Sequence, residues 1–290
     1  MNDLLRIFGI KKKFGTNYIL KGISLKLKAN QIVGLIGPNG AGKTTLLKII
    51  ATLMQPTSGK IRLCGYDSNT NLSIVRSMIG YCPDNLPIVG DITGYQFLKF
   101  FSDFYYIDEK KFNRAIAITG LGRNDLNRKL TTYSNGMKKR ILIGRVLLLN
   151  SNLILLDEPT SGLDPEGQRF LQNLLLSSNK KDKLILLSSH NLYEIERICD
   201  KILILEDGYI KQISSINEMF KESDDMIVEI LMKDIDDEMV LKMIEQFKEL
   251  TFISSELNKV RFFSKKNLNK VKLQKFLKKD KGELIEIKYY

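Results

Sequence analysis

The sequence predicts an α/β fold. It combines a mainly parallel sheet flanked by helices, an antiparallel β part near the start, an inserted helical region and a small α+β domain at the end. Three observations predict it. The runs QIVGLI (Gln31 to Ile36), LILLD (Leu153 to Asp157) and LILLSS (Leu184 to Ser189) are nearly continuous in apolar residues. That is the pattern of strands covered on both faces, and helical segments separate them. Between the first run and the helix after it lies GPNGAGKTT, Gly37 to Thr45, a glycine-rich strand-to-helix junction. The residues from 226 onward read as strand, helix, two strands, helix and strand, the order of a small ferredoxin-like domain.

In chain order, the first thirty residues are β-prone, with alternation in ISLKLK (Ile23 to Lys28) and a turn at Ala29-Asn30. A helix is expected over Lys43 to Leu53, stopped by Pro56, and IRLCGY (Ile61 to Tyr66) reads as the next strand. TGYQFLKFFSDFYYID and KKFNRAIAITGL, within about 86–150, read as amphipathic helices whose aromatics are expected in the core. After LILLD, Pro165 suits a first helical position with Asp164 as its N-cap. KILILEDGYIKQI (Lys201 to Ile213) reads as a hairpin turning at Asp207-Gly208. KESDD (221–225) marks a linker; beyond it the expected elements are strand 226–232, helix 236–249, strands 250–256 and 259–264, helix 266–279 and strand 283–289.

The 43% hydrophobic and 27% charged content over 290 residues is that of a soluble globular chain with room for one large domain and a smaller one. No apolar run approaches the length of a membrane span, and the N-terminus lacks a signal-peptide layout, so a membrane connection would come through a partner. Three cysteines without C-x-x-C spacing suggest neither a disulfide framework nor a zinc site; they fit a reducing cytoplasm and are expected as buried small hydrophobes. The formal charge of +12 lies on residues 1–215 (30 basic, 18 acidic). The tail is neutral but split, with 4 basic and 12 acidic residues over 216–256 and 11 basic and 3 acidic over 257–290. A basic first domain favours anions, but no zinc-finger or RNA-recognition signature supports specific nucleic-acid binding.

GPNGAGKTT fills the pattern G-x-x-x-x-G-K-[ST] at Gly37, Gly42, Lys43 and Thr44, with Pro38, Asn39, Gly40 and Ala41 inside the loop and Thr45 after it. The glycines let backbone N–H groups face a polyphosphate at a helix N-terminus, where the helix dipole also favours an anion. Lys43 would reach the β- and γ-phosphates and the Thr44 hydroxyl would ligate magnesium, Mg2+. LILLDEPT then delivers Asp157 from an apolar strand toward that metal, and Glu158, one residue on, toward the attacking water. Paired acids at an ordinary strand end are the bland alternative; the phosphate loop in the right chain order weighs against it.

With these residues in place, 1–215 resembles the nucleotide-binding subunit of an ABC transporter. The resemblance implies a P-loop NTPase fold, with a RecA-like mixed sheet, and an ATP-binding domain over 1–215 that includes a helical subdomain at about 86–150. It leaves 220–290 as an accessory domain. Phe14 sits where the family stacks an aromatic on adenine, against the alternative of a core or hairpin aromatic. Tyr133-Ser134-Asn135-Gly136-Met137 takes the place of the signature LSGGQ, matching at Ser134 and Gly136. Ser134 would cap the next helix, Met137 to Leu149, whose free N–H groups face the γ-phosphate held by the opposite subunit. SGLD (Ser161 to Asp164) matches the loop in which Asp164 links two ATP sites, and His190 the histidine that contacts the γ-phosphate. The departure is IGYCPD (Ile79 to Asp84), where Asp84 stands for the family's glutamine. Its carboxylate either ligates magnesium more tightly or repels the γ-phosphate, and Asn85 offers the neutral amide beside it.

The expected function is an ATP-binding and ATP-hydrolysing subunit that dimerises around ATP and powers transport by separate transmembrane permease subunits. Glu158, His190 and Lys43 would be its catalytic residues. Two copies, or one copy with a second ATP-binding subunit, would sandwich two ATP molecules. The chain would be cytoplasmic, peripheral on the inner face of the cell membrane. TGYQFLKFFSDFYY and YSNGM resemble exporters of the drug or antimicrobial-peptide type. The alternatives are a soluble ABC-type switch that remodels a partner, and a nucleotide-binding scaffold with little hydrolysis.

Overall fold

Alternation decides the first sheet. β1 (Asp3–Phe14) and β2 (Asn17–Lys28) form an antiparallel hairpin closing at the Phe14↔Asn17 pair. On β2, Leu20, Ile23, Leu25 and Leu27 are buried while the lysines between them face out. The computed structural model describes residues 3–85, 91–149, 151–177, 182–191, 198–213, 225–232, 237–247, 250–256, 259–265, 270–279 and 284–289. The chain divides into two compact units, Met1–Gln212 and Ile213–Tyr290.

In the first unit, β4 (Ser58–Leu63) pairs antiparallel with the free edge of β1, and β5 (Tyr66–Asp67) extends the sheet, giving the order β2-β1-β4-β5. IRLCGY is therefore not one strand. Cys64 (φ 50°) and Gly65 (φ 87°) make a two-residue turn between β4 and β5, and Cys64 is exposed there rather than buried. Cys82 is buried and Cys199 half-buried.

The second sheet has six strands. β3 (Gln31–Ile36), β6 (Ile79–Cys82), β7 (Leu153–Leu156), β8 (Leu184–Ser189), β9 (Lys201–Glu206) and β10 (Tyr209–Ile213) lie in the order β10-β9-β3-β8-β7-β6. From β9 to β6 every pairing is parallel. The chain turns from β9 to β10 at Asp207 (φ 49°) and Gly208 (φ 81°). All residues of β7 and β8 are buried, which explains their unbroken apolar runs. One core joins Ile7, Leu25 and Leu63 of the first sheet to Leu35, Leu155, Leu186 and Leu203 of the second, with Leu46, Leu47 and Ile50 of α1 (Lys43–Ile50). Each such buried leucine or isoleucine contributes about 1.5–3 kcal/mol by leaving water. α1 stops at Ile50, three residues short of the sequence expectation, because Thr52 turns left-handed (φ 60°).

Between β6 and β7 lie α3 (Gly94–Phe104), α4 (Glu109–Thr119), α5 (Arg123–Leu126) and α6 (Asn135–Leu148), after the short α2 (Leu72–Ser77) that precedes β6. Thr93 closes a capping box with Gln96 at the start of α3, and Asp108 caps α4. The aromatics divide: Phe97 and Phe112 enter the core as expected, whereas Phe100, Phe104, Tyr105 and Tyr106 are exposed. Phe100 and Phe104, one turn apart, stack on each other at 6.2 Å on the outer face of α3. α7 (Pro165–Ser177) leads toward β8.

The second unit contains β11 (Asp225–Met232), α8 (Asp237–Gln246), β12 (Leu250–Glu256), β13 (Lys259–Lys265), α9 (Lys270–Lys279) and β14 (Leu284–Tyr289). Its antiparallel sheet runs β12-β13-β11-β14. Val228, Ile230, Val260 and Phe262 of the sheet meet Met243, Phe247, Leu273 and Leu277 from the helical side. Of the charged 221–225 linker, 221–224 lie outside the described residues. Among the described residues no helix is long and apolar enough to cross a membrane.

Candidate active site

Parallel neighbours aim their carboxyl ends the same way, and that places the site. In the contiguous block β3-β8-β7-β6 the register pairs Ile36 with Ser189, Leu187 with Leu156, and Leu156 with Cys82. The residues that follow are the Gly37 loop, His190, Asp157 with Glu158, and Asp84. Residues 47 to 153 positions after Gly37 thus converge at one sheet edge, where α/β sheets place their ligands.

The loop needs its glycines for space and for backbone. A Cβ on Gly37 would lie 2.3 Å from the Leu205 carbonyl oxygen, and one on Gly42, at φ 102°, would lie 2.8 Å from the Ile19 side chain. Gly40 is also left-handed, at φ 82°. Gly42 precedes α1, so the first turn of that helix presents its free N–H groups at the loop. Lys43 is buried; its Nζ donates to the Gly37 carbonyl at 2.7 Å and the Pro38 carbonyl at 3.2 Å, and lies 3.4 Å from Glu158 Oε1.

Asp157 is 1% exposed and its carboxylate accepts three hydroxyls: Ser188 at 2.7 Å, Thr44 at 3.1 Å and Tyr81 at 3.3 Å. Burial, and then the adjacent Asp157 charge, push the Tyr81 phenol well above its ordinary range, so it remains a donor. Glu158 adopts a left-handed backbone, φ 44°, that an ordinary side chain disfavours. Both of its peptide groups are tied by side chains: its N–H donates to Ser188 Oγ at 2.9 Å, and its carbonyl accepts from Lys139 Nζ at 3.0 Å. Its Oε2 lies 2.9 Å from His190 Nδ1. The carboxylate is thus suspended between Lys43 and His190.

A cleft of ≈ 440 Å³ opens here, lined by Phe14, Ile19, Asn39, Gly40, Gly42, Lys43, Thr44, Thr45, Asp84 and Glu158. The half-exposed Phe14 ring stands at its margin with Lys12 Nζ 5.1 Å from the ring centre. Asp84 reaches the same cleft, but its Oδ1 is 3.1 Å from Lys139 Nζ. The pair Thr44 and Asp157 offers hard oxygen donors of the kind magnesium takes. Among the described residues no group of three or more His, Cys, Asp or Glu side chains could form a metal cage. Glycine-made space, α1 amides and Lys43 fit a triphosphate.

Ser134 and Gly136 do not line this cleft. Ser134 is exposed and caps α6, accepting from the Met137 N–H at 3.2 Å. The helix therefore begins at Asn135, two residues earlier than expected. A Cβ on Gly136 would touch Leu163, and one on Gly162 would touch Asn135, so the signature segment sits against the Ser161–Asp164 loop. Asp164 caps α7, accepting from the Gly167 N–H at 2.8 Å. Lys139, Ser188, Tyr81 and Ile19 were not singled out by the sequence. Ser188 had a signal, the first of two hydroxyls closing an otherwise apolar buried strand; Lys139, inside the run KKR, had none.

Residues 20–161 match the family model described as ABC transporter. The chain is 33% identical over 229 residues to the ABC transporter ATP-binding protein YdbJ of Bacillus subtilis strain 168, covering 78% of this chain and 74% of that protein. It is 33% identical over 208 residues to the linearmycin resistance ATP-binding protein LnrL of the same strain, covering 71% and 67%. With the Nod factor export ATP-binding protein I of Burkholderia orbicola strain AU 1054 it shares 32% over 202 residues, 69% and 66% of the two chains. Among solved structures, it is similar to an ATP-binding subunit of an ABC transporter (TM-score 0.67, 28% identity, 76% of this chain and 92% of that one). It is also similar to a dimeric ATP-binding cassette in a post-hydrolysis state with ADP and Pi (TM-score 0.65, 26% identity, 72% and 98%).

Proposed function

The chain belongs to the ABC transporter ATP-binding family, and from that premise we propose that it is the ATP-hydrolysing subunit of an exporter, working as a dimer beneath separate membrane subunits. ATP is its substrate and ADP and phosphate are its products. Backbone amides at the start of α1 and the Lys43 ammonium bind the β- and γ-phosphates, and Phe14 stacks on the base. Glu158 accepts a proton from the attacking water, while His190, hydrogen-bonded to it through Nδ1, holds that carboxylate in place beside the γ-phosphate. Magnesium, held by Thr44 and Asp157, neutralises charge on the phosphates when bound. Asp84 stands near enough to that cleft to act on the metal or the phosphate, and its pairing with Lys139 bears on which.

The observation that carries the dimer is the split between two surfaces. The loop, Asp157, Glu158 and His190 converge on one cleft, whereas Ser134 presents a capped helix end outside it. A second subunit is the source of the helix end that closes each cleft, with Gly136 and Asp164 at the contact. The exposed aromatics Phe100, Phe104, Tyr105 and Tyr106 support a docking face for the membrane subunits, which would hold the chain at the membrane's inner face. Export is supported by the likeness to the Nod factor export protein and, through linearmycin resistance, to LnrL. Residues 220–290 would form an accessory domain that assists dimerisation or regulation, a reading supported by the opposed charges of its two halves.

Glu158→Gln tests the reading. With ATP the variant accumulates as a dimer on size-exclusion chromatography and releases no phosphate above a Lys43→Ala control. A variant that stays monomeric at saturating ATP and high protein concentration refutes the mechanism.

A further inference from the structure

Lys139 places a full charge inside the protein, one turn into α6. Its side chain is only 5% exposed, whereas its neighbours Lys138 and Arg140 reach solvent. A buried ammonium is costly unless it is paired and all its donors are used. Lys139 meets that demand with three bonds: to the Asp84 carbonyl at 2.9 Å, to Asp84 Oδ1 at 3.1 Å and to the Glu158 carbonyl at 3.0 Å. An ammonium has three N–H donors, so its capacity is spent on two residues of the site. Asp84 is different in kind. Its side chain is 40% exposed and lines the cleft that the phosphates enter.

We propose that Lys139 is a positioning residue that neutralises Asp84 and so lets this cleft accept a γ-phosphate. The proposal rests on the ATPase reading above and answers the question Asp84 raises in place of a neutral glutamine. The cleft and its floor hold three carboxylates, Asp84, Asp157 and Glu158, against the ammonium groups of Lys43 and Lys139. Without Lys139, Asp84 becomes an uncompensated negative charge at the mouth of an anion site. The penalty falls on ATP more than on ADP, because ATP carries about one more negative charge, on its outermost phosphate. At the effective dielectric of a partly buried site, one such repulsion after salt screening is worth roughly tenfold in affinity.

The test compares ATP and ADP affinities of the full-length chain by calorimetry in magnesium buffer, alongside phosphate release. Lys139→Met weakens ATP about tenfold more than ADP. Adding Asp84→Asn to that variant restores the ATP-to-ADP ratio to within about threefold of the parent. If Lys139→Met does not fold, Asp84→Asn alone carries the test. It leaves the ammonium uncompensated and tightens ATP relative to ADP. A purely structural role would weaken both nucleotides alike and give no rescue by Asp84→Asn; that result overturns the proposal while the ATPase reading stands. A parent chain that releases no phosphate from ATP overturns the ATPase reading, and this proposal with it.

Discussion

Ser188→Ala removes one of the two side-chain oxygens of a strand whose other side chains are aliphatic. Ser188 is fully buried; it donates to Asp157 Oδ1 at 2.7 Å and accepts from the Glu158 N–H at 2.9 Å. Losing the bond to the charged carboxylate costs about 1.5–3 kcal/mol, and leaving the Glu158 N–H without its acceptor adds about 1–3 kcal/mol. Glu158 is partly exposed, so water recovers some of the second loss, and a total of about 3 kcal/mol follows. Part of this appears as global stability and part as disorder of the Glu158 turn. Each 1.4 kcal/mol that reaches the barrier slows turnover about tenfold, so a loss of roughly 10- to 100-fold in kcat is expected. The chain has no tryptophan and two units, so urea unfolding is followed by far-UV circular dichroism, each transition fitted separately. Phosphate release gives kcat. Ser188→Thr keeps the hydroxyl and separates chemistry from packing. A stability loss under about 0.5 kcal/mol with kcat within about twofold of the parent would refute the reasoning, because the hydroxyl would then hold neither acid.

Gly37→Ala abolishes nucleotide binding and lowers stability by roughly 3 kcal/mol, since its methyl would meet backbone at Leu205, which cannot withdraw without disturbing the β3–β9 pairing. Equilibrium binding and urea unfolding check this; a variant that binds ATP normally would contradict it. Maleimide labelling of the native chain near neutral pH, mapped by mass spectrometry, modifies Cys64 and spares Cys82. Burial pushes the Cys82 thiol up from its ordinary 9.0 to about 11. The fold therefore favours the neutral thiol: its contribution is complete below pH 9.0 and is lost as pH rises through about 11. Melting temperature falls across that window, and less steeply in Cys82→Ala. An equal alkaline loss in both proteins would show that Cys82 contributes nothing to it.

Where local chemistry dictated structure, the sequence was readable. Asp207-Gly208 announced a turn because few residues accept φ 49° and 81° in succession, and QIVGLI announced a strand because both its faces are covered. In the second unit the six elements appear in the order read from periodicity, to within a few residues at their ends. The motif residues Lys43, Thr44, Asp157, Glu158 and His190 lie together because each follows the carboxyl end of a parallel strand. What stayed hidden depended on contacts across the fold. Cys64 in IRLCGY looks like another β-prone apolar residue, yet the pairing of β4 with β5 requires a turn there. Phe97 and Phe100 are alike in a sequence, and only the docking of one face of α3 buries the first and exposes the second. Lys138, Lys139 and Arg140 are three interchangeable charges until β6 and β7 bring Asp84 and the Glu158 carbonyl to the middle one.

Glu158 occupies a backbone shape that glycine would adopt at no cost, and it costs an ordinary side chain about 1 kcal/mol or more. Glu158→Gly would relieve that backbone strain but leave the buried Lys43 ammonium without its carboxylate neighbour, so the two effects on stability oppose each other. The backbone strain therefore sits at the very residue proposed to polarise water, the kind of position where strain accompanies function.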